Sequence, residues 1–152
     1  MEAFEIERKF LVKKLPEDLE KYECRQLEQG YLCTEPVVRI RRSDDTYTLT
    51  YKGKGLLVRE EYNLPLTKEA YEHLKPKAEG ILITKKRYKI PYQSYMIELD
   101  IFEGELASLQ LAEVEFPSKE EAEAFEAPEW FGEDVTFSGQ YQNSSLSKRK
   151  KK

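Results

Sequence analysis

Apolar and polar residues alternate with a period of two along most of the chain. Phe4, Ile6 and Phe10 alternate with Glu5, Glu7 and Lys9, and Val38 and Ile40 with Arg39 and Arg41. Tyr47, Leu49 and Tyr51 alternate with Thr48, Thr50 and Lys52. Successive side chains of a strand point to opposite faces, so this period predicts strands that are apolar on one face only. Five more strands are expected over residues 25–32 (with Leu27 and Tyr31 on one side), 57–66, 81–90, 95–102 and 109–116. Lys52-Gly53-Lys54-Gly55 and Pro91-Tyr92-Gln93-Ser94 supply turns.

Helices are few. A short one is expected over residues 16–22. Thr67 is an N-cap for a second, running to about Leu74 and closed by Pro76. Ser118-Lys119-Glu120-Glu121 has the form of a capping box and opens a third, to about Phe125. Residues 134–146 show no clear period. Together these elements predict a mainly β (α+β) fold: an eight-stranded antiparallel β-barrel, closed or nearly closed, with a few short helices outside. Residues 1–147 are expected to form one domain, and residues 148–152 a disordered basic tail.

Composition narrows the class. The chain has 152 residues, 36% charged, 39% hydrophobic and 12% aromatic. No run from the hydrophobic set exceeds three residues, which excludes a transmembrane helix. No secretory signal is visible, so a cytoplasmic location is expected. Cys24 and Cys33 are too few for a disulfide scaffold and lack metal-ligand spacing, so reduced, inert thiols are expected. The formal net charge is −4 even with the five basic residues 148–152, so the body is acidic. That argues against a broad nucleic-acid surface, and no membrane or obligate protein partner is expected.

The polar faces change the picture. Charged strand faces usually point to water and mix residue types freely. Here the charges sort by strand. Glu5 and Glu7 share a face with Lys9, Arg39 with Arg41, Lys85 with Arg87 and Lys89, Glu98 with Asp100, and Glu113 with Glu115. Residues two apart on a strand lie roughly 6.6–7 Å apart and point the same way, so on an inward-curving face they can converge on one ligand. Facing carboxylates repel unless a cation lies between them, and hard oxygen ligands suit Mg²⁺ or Mn²⁺. Arg and Lys suit phosphate. Both sets in one cavity describe a site for a metal-bound polyphosphate.

Glu5-Ile6-Glu7-Arg8-Lys9 resembles the ExExK strand of the CYTH domain, the triphosphate tunnel metalloenzymes. Val38-Arg39-Ile40-Arg41, Thr50-Tyr51-Lys52-Gly53, Lys85-Lys86-Arg87-Tyr88, Ile97-Glu98-Leu99-Asp100 and Ala112-Glu113-Val114-Glu115 follow in that family's order. Tyr141-Gln142-Asn143-Ser144-Ser145-Leu146 resembles its C-terminal signature. The resemblance covers residues 3–146 and implies a closed eight-stranded tunnel. It implies that Glu5, Glu7 and Glu115 hold a metal, and that Glu113, Asp100 and Glu98 support a second metal, position water or orient basic groups. It implies that Lys9, Arg39, Arg41, Lys52, Lys85 and Arg87 grip phosphate, with Arg59 and Glu61 at a weaker position. Asn63 stands where the family often has Glu, which bears on substrate preference.

The activity so implied is metal-dependent hydrolysis of the terminal phosphoanhydride of a triphosphate, with Glu5, Glu7, Lys9, Glu113 and Glu115 at its centre. The Glu7-Arg8-Lys9-Phe10 run resembles the short bacterial branch, so inorganic tripolyphosphate is the expected substrate, and nucleoside triphosphates a further one. Class IV adenylate cyclase and thiamine triphosphatase are alternatives on the same fold; a non-catalytic polyphosphate-binding module is an alternative of another class. His73 has no ligand pair near it in sequence and reads as an exposed helix residue. Trp130 and Phe131 read as packing residues. Gly53-Lys54-Gly55 reads as a turn, since no phosphate-loop context surrounds it.

Overall fold

The computed structural model describes residues 4–148. Its strands are β1 (Phe4–Val12), β2 (Glu23–Thr34), β3 (Val37–Ser43), β4 (Thr46–Lys52), β5 (Val58–Leu66), β6 (Glu79–Tyr92), β7 (Tyr95–Glu103), β8 (Gln110–Glu115) and β9 (Phe131–Asp134). Its helices are α1 (Lys68–Leu74), α2 (Lys119–Ala124) and α3 (Asn143–Leu146). The strands form one sheet in the order β5-β4-β3-β2-β6-β7-β8-β1-β9. A further antiparallel pairing, Phe4↔Glu60 to Ile6↔Val58, joins β1 to β5 and closes β1–β8 into a barrel. Closure leaves none of the eight with a free edge along its whole length.

The eight predicted strands are all present. The ninth is not among them. Two strands share one edge of β1: β5 bonds its first residues and β9 its last. Glu7 donates from its amide to the Leu57 carbonyl (3.1 Å), while further along Val135 donates to the Lys9 carbonyl (2.8 Å) and Lys13 to that of Trp130 (2.9 Å). A four-residue strand with a glycine inside carries no alternation to read; it forms because β5 leaves that stretch of β1 unpaired. The helix expected over 16–22 shrinks to a 3-10 turn, Leu19–Lys21, entered through Asp18 in the left-handed region (φ 56°).

The caps form as the sequence predicts. Thr67 accepts from the Ala70 amide (3.0 Å) and Ser118 from the Glu121 amide (3.1 Å), each worth about 1 kcal/mol. The Glu121 carboxylate accepts from the Tyr95 hydroxyl (2.7 Å), which ties α2 to β7. Among the described residues no helix is long and apolar enough to cross a membrane.

Residues opposite one another in a sheet project to the same side. Phe10, Ile90, Ile97, Leu99, Ala112 and Val114 therefore project outward together, and pack with Phe116, Ala122, Phe125 and Phe131 as one core between barrel and α2. Arg8 fastens this layer. Its guanidinium donates to the Ala122 carbonyl (2.9 Å), pairs with Asp134 (2.7 Å) and lies over the Phe10 ring (4.9 Å to the centroid). The main apolar layer thus lies outside the barrel, which leaves the inner faces for polar groups. A second cluster of Tyr31, Ile83, Phe102 and Leu111, with Val135 and Leu146, seats the C-terminal segment against the barrel. Gly80 makes that seating possible. Its φ is +68°, and a Cβ there would lie 2.0 Å from the Ser147 carbonyl oxygen that Ile81 binds at 2.7 Å.

Candidate active site

The strand registers bring the sorted charges to one cavity. On β1 and β8, Glu7 stands opposite Glu115 and Lys9 opposite Glu113. On β7, Glu98 stands opposite Glu113. Across the barrel, Arg39 and Arg41 on β3 face inward opposite Tyr31 and Gln29 of β2, and Lys52 on β4 stands opposite Glu61 of β5. Glu5, Glu7, Lys9, Arg39, Arg41, Lys52, Arg59, Arg87, Glu98, Glu113 and Glu115 all line this cavity, together with Glu61. Eleven of the thirteen residues expected from the sequence thus converge.

The other two, Lys85 and Asp100, are fully buried and do not line it. Their groups meet at 2.7 Å. Asp100 also accepts two parallel bonds from Arg87, at 2.8 and 2.9 Å. Both Asp100 oxygens are thus committed to cations, and its place is behind Arg87, not at the cavity surface. Such a bidentate grip fixes the guanidinium plane. The other face of Arg87 reaches Glu98 (3.4 Å) and Glu113 (3.5 Å).

The cavity holds about 80 Å³, and ion pairs span it. Lys52 binds Glu5 (3.1 Å) and approaches Glu61 (3.6 Å). An anionic ligand must therefore draw Lys52 from Glu5. Lys9 donates to the Tyr141 carbonyl (3.1 Å), and Arg41 to the Gln29 side chain (2.8 Å). Arg39 donates to Thr50 (3.1 Å), which donates on to Asn63 (2.5 Å). Among the described residues two buried side-chain atoms have no hydrogen-bond partner: Nε of Arg39, and Oε1 of Glu113, which lies 3.5 Å from Arg87 Nη2. A buried polar atom left unpaired is costly, and a ligand that supplies the partner removes the cost.

Electrostatics sharpen the asymmetry. Burial, then Glu113 and Glu5, push the Glu7 carboxyl well above the ordinary range. Burial acts the same way on Glu113, but Lys9, Arg87 and Lys85 outweigh it and hold that carboxyl well below. Burial pulls Lys9 down, and Glu113 and Glu7 more than restore it. Burial, with repulsion from Arg39 and Arg87, lowers Arg41 to about 9. Burial lowers Lys85 to about 7 against the pull of Asp100. A cation lowered on the cavity wall, as Arg41 is, and a carboxyl raised there, as Glu7 is, favour a ligand of opposite charge.

Among the described residues no three His, Cys, Asp or Glu side chains form a ready cage for a metal ion. The donor set nonetheless fits one kind of ion. Mg²⁺ takes one or two carboxylates and fills its octahedron with phosphate oxygens and water. Glu7, raised by burial and then by its carboxylate neighbours, lines the cavity with Glu5 and Glu115, and carboxylates so placed fit such an ion.

The sequence reading did not single out Gln29, Thr50 or the backbone at Tyr141 as partners of the basic groups. Gln29 carried a signal, being a polar residue between Leu27 and Tyr31 on an otherwise apolar face. Thr50 shares the inner face with Lys52. The Tyr141 carbonyl carried none, since its role depends on where the C-terminal segment docks. His73 is exposed on α1, Cys24 is exposed and Cys33 half-buried, both as free thiols, and Phe131 is in the outer core. Lys148 is exposed; the rest of the expected tail lies outside the described residues.

The model of the CYTH domain matches residues 3–151. An inorganic triphosphatase of Nitrosomonas europaea is 41% identical over 148 residues, covering 94% of this chain and 96% of that protein. An inorganic triphosphatase of Acetivibrio thermocellus is 36% identical over 151 residues, covering 95% and 93%. A crystal structure of an inorganic triphosphatase superposes with a TM-score of 0.74 at 37% identity, covering 97% of both chains.

Proposed function

The chain belongs to the CYTH domain family, and from that premise we propose that it is a divalent-metal-dependent triphosphatase that hydrolyses inorganic tripolyphosphate. The observation that carries this reading is the facing of two sets within one cavity: Arg39, Arg41, Arg87, Lys9 and Lys52 against Glu5, Glu7, Glu113 and Glu115. The two relatives named above are inorganic triphosphatases and match over nearly their whole length, which supports the same substrate here.

Phosphoryl transfer asks the protein chiefly for positioning and charge neutralisation. Arg39 and Arg41, two residues apart on β3, grip successive phosphate groups. Nε of Arg39, without an acceptor of its own, takes a phosphate oxygen. Arg87 is held in plane by Asp100 and presents its remaining donor directions to the chain, and Lys85 holds Asp100 in turn. Lys52 exchanges Glu5 for phosphate, and Lys9 balances the charge that grows on the leaving oxygen. Glu5, Glu7 and Glu115 would hold Mg²⁺ or Mn²⁺, with Glu113 and Glu98 beside them. The ion, when bound, neutralises charge on the phosphates and lowers the pKa of coordinated water. Lys9 and Arg87 favour the ionised form of Glu113, and its Oε1, 3.5 Å from Arg87 Nη2 and without a hydrogen-bond donor, accepts a hydrogen bond from the attacking water and sets its direction.

The test is a panel of tripolyphosphate, ATP and thiamine triphosphate with Mg²⁺, Mn²⁺ or EDTA, following orthophosphate, pyrophosphate and cyclic nucleotide. The reading expects orthophosphate from tripolyphosphate, dependent on the divalent ion. Cyclic AMP with pyrophosphate from ATP, or tight tripolyphosphate binding without turnover in any metal, overturns it.

A further inference from the structure

The cations of the tunnel have partners of two kinds. Lys52 is paired with Glu5 and Glu61, Lys85 with Asp100, and Arg87 with Asp100, Glu98 and Glu113. Arg39 and Arg41 differ. Among the described residues neither forms an ion pair, and the groups that hold them are neutral. Nε of Arg41 donates to Oε1 of Gln29, directly opposite on β2 (2.8 Å). Nη2 of Arg39 donates to the Thr50 hydroxyl (3.1 Å). That hydroxyl donates in turn to Oδ1 of Asn63, directly opposite on β5 (2.5 Å). Gln29 and Thr50 are fully buried, and none of the three acceptors lines the cavity.

A buried guanidinium is ordinarily matched by a carboxylate. Gln and Asn offer an acceptor oxygen of nearly the same shape as that of Glu and Asp, but without the charge. The two arginines stand two residues apart on β3, and repulsion from Arg39 and Arg87 adds to burial in lowering Arg41. We propose that Gln29 and Asn63 are specificity residues that keep the Arg39–Arg41 pair uncompensated, so that its full charge is left for a polyphosphate. Gln29 acts on Arg41 directly, and Asn63 acts on Arg39 through Thr50. The inference rests on the triphosphatase reading above.

Lys52 shows the contrast. It must leave Glu5 before it grips phosphate, whereas Arg39 and Arg41 keep their acceptors and exchange nothing. A guanidinium has five N–H donors, and these bonds take one in each arginine, so the rest of each fork serves the ligand. A carboxylate at either place would accept the same bond and add a negative charge, against which a polyphosphate has to compete. Gln29 and Asn63 are thus positioning residues, which hold the guanidinium groups and touch no phosphate.

Calorimetry in EDTA measures Kd for tripolyphosphate on the wild type, Gln29→Glu, Asn63→Asp and Asn63→Leu. Kd should rise about tenfold or more in Gln29→Glu and in Asn63→Asp. It should rise less in Asn63→Leu, which removes the acceptor without adding charge. Asn63 is exposed, so Asn63→Asp decides the matter if Gln29→Glu does not fold. The ligand-free Asn63→Asp protein should melt at or above the wild-type temperature, because the added charge relieves the repulsion between the arginines. With Mg²⁺, KM for tripolyphosphate should rise while kcat stays within about threefold. The inference is overturned if Asn63→Asp binds as tightly as wild type, if Asn63→Leu weakens binding as much as Asn63→Asp, or if the weaker binding of Asn63→Asp comes with a lower melting temperature. A wild type that binds tripolyphosphate without hydrolysing it, with the expected order of Kd, defeats the triphosphatase reading and leaves the inference standing. Hydrolysis with equal Kd in every variant defeats the inference alone.

Discussion

Glu7 and Glu113 are diagonal neighbours across the β1–β8 pairing, and the tunnel pushes their carboxyls in opposite directions, Glu7 up and Glu113 down. Glu113 has Lys9 and Arg87 beside it. Glu7 is buried beside Glu113 and Glu5, whose repulsion adds to the effect of burial and outweighs the pull of Lys52 and Lys9. The surroundings of Glu7 thus favour its protonated form over the free carboxylate, at a position proposed to hold a divalent cation. Function here opposes stability, since the arrangement that suits the ion strains the vacant barrel.

The first prediction concerns that proton. The folded pKa of Glu7 lies above its unfolded value. Its contribution to stability is therefore fully present below the unfolded pKa of about 4.3 and is lost as pH rises through the folded pKa. Glu7→Gln should raise the melting temperature of the metal-free protein near pH 7–8 by about 2–4 °C, on the order of 1 kcal/mol. The gain should vanish towards pH 4, and turnover should be lost. A melting series over pH 4–8 checks this; a variant less stable than wild type at pH 8 contradicts it.

The basic wall gives the second. Arg39→Ala removes a charged hydrogen bond to phosphate, worth about 1.5–3 kcal/mol, so kcat/KM for tripolyphosphate should fall roughly tenfold to a hundredfold. Arg39→Lys should restore only part of it, because Lys lacks the planar fork. Lys148→Ala, on the exposed end of the described chain, should change nothing. Equal effects at Arg39 and Lys148 would mean that the charged faces are only solvated surfaces.

The fold was legible wherever the period was clean. The eight barrel strands, the Thr67 and Ser118 caps and the convergence of Glu5, Glu7, Lys9, Arg39 and Arg41 all follow from alternation and sorted charge. Lys85 and Arg87, however, are indistinguishable in the pattern, being two residues apart on one strand face. Depth along the barrel separates them, and depth depends on strand tilt, which no local pattern encodes. β9 escaped for a related reason: its partner edge exists only because β5 crosses β1 part-way along.

The seating of the C-terminal segment gives the third prediction. Gly80→Ala places a Cβ against the Ser147 carbonyl and strains a positive-φ position, at a cost of more than about 1 kcal/mol. Because Tyr141 and Asn143 reach Lys9 and Lys85 from that segment, KM for tripolyphosphate should rise with the loss of docking. Hydrogen exchange at the Ile81 amide, which bonds Ser147, reports the loss directly. Wild-type protection in the variant would contradict the role given to the glycine.

Ligand-induced stability gives the fourth. A ligand that binds only the folded state adds about 2.7 kcal/mol at a hundredfold excess over Kd, a melting shift of roughly 5–10 °C at this chain length. Tripolyphosphate should exceed pyrophosphate, and pyrophosphate orthophosphate, because each added group engages more of the basic wall. Equal shifts for all three anions would contradict a tunnel that reads the length of the chain.

The most direct test of the central claim is phosphorus NMR of tripolyphosphate incubated with the protein and Mg²⁺. The tunnel geometry predicts that the tripolyphosphate signals are replaced by orthophosphate and pyrophosphate in equal amounts, that EDTA stops the conversion, and that Glu7→Gln abolishes it while remaining folded. Unchanged tripolyphosphate with Mg²⁺ and with Mn²⁺, or undiminished conversion by a folded Glu7→Gln, would contradict the claim that these inward-facing charges form a metal-dependent triphosphatase site.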